Sequence, residues 1–171
     1  YLNLPKSYHG KGGVLLGYRV PITFPKKAID IDPYLLGYWL GDGSSNGTKF
    51  STQESNVLVH INKECLKNHP DLYISYTGYQ YDYSIISVKK GKECNSFLNG
   101  LKKYNLLKNK HIPYDYKCNE RSIQLKLLAG IIDSDGSKNA NCYDIIQKNE
   151  TLIDDIISVS YTHLTLPTKW W

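Results

Sequence analysis

The chain has 171 residues, 41% of them hydrophobic, and sets 21 Lys and Arg against 16 Asp and Glu. That length can bury a substantial core as one domain or part of a larger one, and the formal charge of +5 is compatible with nucleic acid without requiring it. No apolar run is long enough to span a bilayer and no signal peptide is visible, so no membrane partner is expected and an intracellular setting is, in cytoplasm or nucleus, virus-encoded origins included.

Tyr1 to Pro25 holds Gly10-Lys11-Gly12-Gly13 and the short apolar runs Val14-Leu15-Leu16 and Arg19-Val20-Pro21-Ile22, which read as a loop with one or two strands. A phosphate-cradling loop is not expected, because no Gly-Lys-Ser/Thr in a strand–loop–helix setting surrounds the lysine. With no initial methionine, the chain is expected to begin inside a larger protein. Asp32-Pro33 then reads as an N-cap followed by proline at the first helical position, opening a helix over Pro33–Asp42. Gly43 is expected to end it in the left-handed conformation. The Ser44-Ser45-Asn46-Gly47 turn leads to a strand near Thr48–Gln53. A helix over about Glu54–Asn68 follows, with Val57, Leu58, Ile61 and Cys65 at helical spacing and Pro70 marking its end. Strands at Leu72–Tyr76 and Tyr81–Lys89 flank the Thr77-Gly78 turn, and Tyr79, Tyr81 and Tyr83 alternate as if on one strand face. The 15 tyrosines suit strands that touch a polar partner and ordinary sheets equally. An amphipathic helix over Asn95–Leu107 turns Phe97, Leu98, Leu101 and Leu106 inward. A last strong helical pattern starts at Ser122 and ends at Gly136, where a left-handed glycine is again expected. The order gives an α+β unit with a curved antiparallel sheet.

Two further features concern the cysteines and the end of the chain. Cys65, Cys94, Cys118 and Cys142 show no Cys-x-x-Cys spacing and read as reduced thiols without metal. Val159-Ser160-Tyr161-Thr162-His163-Leu164-Thr165-Leu166-Pro167-Thr168 resembles a translated sequencing-library adapter. Native sequence is therefore expected to end near Ser158, with residues 159–171 an artefact. Without Lys169 the charge becomes 20 − 16, or +4, so the basic balance survives.

Two stretches organise the rest. Leu35–Gly43 reads Leu-Leu-Gly-Tyr-Trp-Leu-Gly-Asp-Gly and Leu128–Gly136 reads Leu-Ala-Gly-Ile-Ile-Asp-Ser-Asp-Gly. Each is an apolar run with glycine third and Asp-Gly last, so Gly37 and Gly130 both stand five residues before an aspartate. Gly37 with Gly41, and Gly130 with Ser134, give each helix a face of small residues on which two backbones can approach closely. Packed side by side, the helices bring Asp42 and Asp135 together at their C-terminal ends. The helix dipole is unfavourable to carboxylates there, and a divalent cation would relieve it. Two acids around hard cations suit metal-assisted phosphodiester hydrolysis. Thr52-Gln53-Glu54-Ser55-Asn56-Val57-Leu58 and Ile146-Gln147-Lys148-Asn149-Glu150-Thr151-Leu152 follow the two stretches. The offset is 93 at the aspartates (135 − 42) and 94 at the glutamines (147 − 53). One insertion reconciles two copies of one unit, which would pair about a pseudo-twofold axis.

These stretches, with Lys110-His111-Ile112-Pro113, resemble the paired signature motifs and the Lys-x-Ile-Pro motif of LAGLIDADG homing endonucleases, in particular those embedded in inteins. The resemblance runs from about Asp30 to Ile157. It implies pseudo-twofold αββαββα units with curved antiparallel sheets, the second unit incomplete. Residues 1–29 would be the edge of an intein splicing domain or a linker, 30–117 the first subdomain and 118–158 the start of the second. No splicing nucleophile opens the chain and no His-Asn closes it, so splicing by this stretch alone is not expected. The implied activity is site-specific double-strand DNA cleavage with Mg2+, in a pseudo-dimeric parent flanked by its host protein, the extein.

By the same resemblance Asp42 and Asp135 are the metal-binding acids, with the backbone carbonyls of Gly41 and Ser134 able to complete coordination. Lys110 would stabilise phosphate charge or help activate water. Asp133 matches the first acidic position of its motif but faces Leu40 in the other copy, so it reads as structural. Gln53 and Gln147 would position solvent or contact DNA. Lys49, Lys89, Lys90 and Arg121 are candidate phosphate contacts, and strands within Thr48–Gln53 and Leu72–Lys89 would lie in the major groove of a long target site. Asp133-Ser134-Asp135-Gly136-Ser137 also resembles the nucleophile loop of haloacid-dehalogenase-type phosphatases, but that fold needs a β-branched strand before it and no second copy. An EF-hand fails because its sixth-position glycine is Lys138. The remaining alternative is a non-cutting nucleic-acid-binding module or maturase of the same fold.

Overall fold

The computed structural model describes residues 22–91, 94–140 and 142–163. The Gly10–Gly13 segment, the apolar runs up to Pro21 and residues 164–171 lie outside them. Six helices and two antiparallel sheets make a mixed α+β architecture: α1 Pro33–Asp42, β1 Lys49–Ser51, α2 Ser55–His60, β2 Leu72–Tyr76, β3 Asp82–Ser87, α3 Ser96–Lys103, α4 Tyr114–Lys117, α5 Arg121–Asp135, β4 Gly136–Asn139, β5 Cys142–Ile145 and α6 Glu150–His163. No helix among the described residues is long and apolar enough to cross a membrane.

Local chemistry explains the first helix. Asp32 Oδ1 accepts from the amides of Tyr34 and Leu35 at 2.9 and 3.1 Å, with Pro33 opening the helix. Such a cap contributes about 1 kcal/mol. From Pro33 to Leu40 every residue of α1 is buried, because α5 lies on one side and the sheet on another.

α1 and α5 form the principal helix pair. Glycine makes their contact possible. A methyl at Gly37 would strike the Leu127 carbonyl, one at Gly130 the Tyr34 carbonyl, and one at Gly41 the Ser134 hydroxyl. Leu36, Leu40, Leu127, Leu128 and Ile131 of the two helices lie in the core, each at most 2% exposed, and full burial of such a side chain stabilises by about 1.5–3 kcal/mol.

The three-stranded sheet has the order β1-β3-β2. Phe50 pairs with Tyr83 and Tyr76 with Tyr83, so these share the core face with Ile74, Ile85 and Leu72. Lys49, paired with Ser84, looks outward beside Ser75. The expected row of alternating tyrosines is not formed. Tyr79 and Tyr81 belong to the loop between β2 and β3, where Gly78 (φ 89°) and Tyr81 (φ 64°) turn the chain through left-handed conformations. Tyr83 alone is in a strand, its ring between Phe50 and Tyr76.

Gly43 and Gly136 also differ from expectation. Both are extended, at φ −75° and −87°, because each helix passes straight into β structure: Gly43 bridges to Phe50, and Gly136 starts β4. Glycine is needed there for room. A Cβ would meet the Trp39 carbonyl and ring at Gly43, and the Ile132 carbonyl at Gly136.

Three elements are shorter or new. The helix expected to Asn68 leaves α geometry at His60 and continues as a π turn over Ile61–Cys65. α3 stops at Lys103, where Asn105 (φ 54°) reverses the chain and Leu106 N donates to Leu101 O at 2.9 Å, an α-left ending that asparagine tolerates. The one-turn α4 was not legible in the pattern. α6 runs through the expected junction at Ser158, and Val159 and Ser160 are buried at 1% and 3% exposure. Cys65, Cys94 and Cys118 are unpaired thiols.

Candidate functional site

The C-terminal ends of α1 and α5 converge, and with them Asp42 and Asp135. The Asp135 carboxyl carbon lies 3.1 Å from where a Cβ on Gly41 would stand, so a side chain at Gly41 would occupy the meeting place. Burial raises the Asp42 pKa above its ordinary value, and the Asp135 charge raises it further against the opposing pull of Lys110. Asp135 is raised chiefly by burial, opposed by Lys110 and by a hydrogen bond from Gln147. Two carboxylates that hold protons more tightly than usual mark a place where extra positive charge is favoured.

Lys110 supplies part of that charge. Its ammonium donates to the carbonyls of Leu40, Gly41 and Gly43 at 3.0, 3.0 and 2.7 Å, satisfying acceptors that the last turn of α1 leaves open. It stands 5.1 Å from the Trp39 ring centroid, and the Trp39 indole donates to Gly47 O at 2.8 Å, holding that ring in place. Burial lowers the lysine pKa to about 8, although Asp135 and Asp42 both pull it upward.

Gln147 Nε2 donates to Asp135 Oδ2 at 2.9 Å, and its carbonyl accepts from the amides of Lys148 and Asn149. Its counterpart in the first copy, Gln53, is exposed just beyond β1 and is not joined to Asp42. Asp133 accepts from the Tyr34 hydroxyl at 2.8 Å, a tie between α5 and α1. Ser134 turns its hydroxyl to Ile131 O at 3.0 Å and fits against Gly41.

The basic candidates scatter. Lys49 is exposed on the outer face of β1, next in sequence to Phe50, which bridges to Gly43. Lys89 and Lys90 follow β3 at the sheet end opposite Gln53; Lys89, expected as the last residue of that strand, lies beyond its end at Ser87. Arg121 is exposed at the start of α5, the far end from Asp135.

Among the described residues no three His, Cys, Asp or Glu side chains gather as a metal cage. The donors at hand are two carboxylates with neighbouring backbone carbonyls, hard oxygens of the kind that magnesium takes along with retained water.

Sequence reasoning missed Trp39, Asn149 and Asp155. Asp155 carried a signal: Leu152, Asp155, Ile156 and Val159 follow the i, i+3, i+4, i+7 pattern of one helix face, so an acid stands in an apolar stripe.

No protein-family model matches the chain. The replicative DNA helicase DnaB of Mycobacterium intracellulare is similar to it, 25% identical over 119 residues that cover 70% of this chain. The chain spans only 16% of that protein's length.

Proposed function

We propose that the chain is the DNA-cleaving part of an intein-borne endonuclease of the LAGLIDADG type, hydrolysing both strands of a long specific site. The observation that carries this is the meeting of Asp42 and Asp135 at the ends of two glycine-faced helices, with Lys110 half-buried beside both. The repeat in sequence supports a pseudo-twofold arrangement of αββαββα units about α1 and α5, since a duplex offers two strands to cut. A match confined to 16% of a protein named as a helicase suits a domain carried inside a host protein.

Asp42 and Asp135 would hold a magnesium ion, with the Ser134 carbonyl as a further donor; the Gly41 carbonyl, expected as another, accepts from the Lys110 ammonium instead. When bound, the ion supplies Lewis-acid stabilisation of phosphate charge and lowers the pKa of water. Gln147 fixes the Asp135 carboxylate by its hydrogen bond. Lys110 is held close enough to its pKa of about 8 to release or keep a proton near neutral pH, as an acid–base group must. Lys49 on the adjoining strand edge would hold a phosphate. An intracellular setting follows, because the substrate is DNA.

Incubating the full-length parent protein, in which the second unit is complete, with magnesium and duplex DNA carrying the uninterrupted insertion site of its host gene tests the proposal. Double-strand cleavage that disappears in Asp42→Asn and Asp135→Asn, with DNA binding kept, is the expected result. Specific binding without cleavage would make the chain a non-cutting module of the same fold.

A further inference from the structure

The segment that carries Lys110 belongs to the first unit, yet its backbone is fastened by the second. Asn149 Nδ2 donates to the Lys110 carbonyl at 2.7 Å. Two residues further on, the Ile112 amide donates to Asp155 Oδ2 at 2.7 Å. The other carboxylate oxygen of Asp155 takes Lys117 Nζ at 2.6 Å. Both anchors come from α6 and its entrance, because Asn149 also caps that helix through Leu152 N at 3.2 Å. The backbone on either side of His111 is thus held at two points on one rigid element.

Asp155 is 8% exposed, and the fold does not call for a charge there. With the offset of 94 that aligns Gln53 with Gln147, Asp155 corresponds to Ile61, a fully buried apolar side chain. A buried ion pair contributes little net stability compared with well-packed apolar residues and is best retained where it fixes a geometry. The geometry fixed here is that of the lysine loop.

We propose that Asn149 and Asp155 are positioning residues for Lys110, a frame on the second unit that sets the lysine of the first against the carbonyls at the end of α1. This rests on the nuclease reading for its catalytic meaning, but the frame itself can be read without DNA.

The direct readout is the Lys110 ammonium resonance in proton–nitrogen NMR at about pH 6, where its three carbonyl acceptors slow exchange. Asn149→Asp keeps a good N-cap and loses the donor to Lys110 O. Asp155→Leu removes the second anchor, and Asp155→Asn keeps an acceptor for the Ile112 amide. The ammonium signal is expected to vanish in Asn149→Asp and Asp155→Leu and to persist in Asp155→Asn. In cleavage assays kcat should fall about tenfold or more in the first two, with DNA affinity unchanged, because small displacements of a catalytic group cost that much. An ammonium signal unaltered in folded Asn149→Asp overturns the frame, whatever becomes of Asp155→Leu. The NMR readout decides the frame even where the wild type does not cut, an outcome that counts against the nuclease reading alone.

Discussion

The ends of α1 and α5 are built from the same short pattern and finished differently. At the end of α1 the open carbonyls of Leu40, Gly41 and Gly43 are occupied by the Lys110 ammonium, and among the described residues none donates a hydrogen bond to the Asp42 carboxylate. At the end of α5 the carboxylate itself is held, by Gln147. One helix end has its dipole answered by a cation, and the other has its acid steered by an amide. The pattern Gly-x-x-x-x-Asp-Gly therefore specifies where two acids meet, while residues far away in sequence decide how each is used.

The largest expected effect breaks both ends alike. Asp42→Asn and Asp135→Asn should each lower magnesium-dependent cleavage by about 10³-fold, the scale of losing one electrostatic partner of a transition state, measured in single-turnover assays. A loss at only one aspartate would show that the two ends do not work as a pair. Next comes the seam that brings them together. Gly37→Val and Gly130→Val force a side chain into the facing backbone and should each destabilise by about 3 kcal/mol in urea denaturation, the upper range for overpacking.

A pH-dependent effect separates the ends. With its folded pKa lowered to about 8 and an unfolded value near 10.4, Lys110 leaves the unfolded chain holding more protons between those values. Stability should therefore rise with pH from about 8 to 10 in the wild type, relative to Lys110→Met, and be level below 8. Melting curves across that range check the slope. The smallest effects concern the carboxylates. Removing the Asp42 charge from a helix C-terminus should stabilise by about 0.5 kcal/mol, visible as a higher melting temperature. Gln147→Met should push the Asp135 pKa further up, since that hydrogen bond holds it down, read in a carbon-detected carboxyl titration.

Much of the frame was legible because its causes are local. Asp32-Pro33 fixes the start of α1, and the spacing of Gly37, Gly41, Gly130 and Ser134 marks the faces that pack. What depends on distant partners was not. Gly43 and Gly136 looked like left-handed caps until the strands that follow at once drew them out. The tyrosine alternation at 79, 81 and 83 imitated a strand where a five-residue loop, 77–81, intervenes. The aspartates could be named from sequence, but the contact of Lys110 with the end of α1, 67 to 70 residues away, and the anchoring of its loop by Asn149 and Asp155 needed the fold.

On the proposed mechanism Asp42 and Asp135 form one cation site. The measurement that tests it most directly is a magnesium titration followed by the side-chain carboxyl carbons of both residues. The two resonances should move together along a single isotherm, and the Asp135 resonance should stay still in Asp42→Asn. Independent isotherms, or an Asp135 response that survives loss of Asp42, would contradict it.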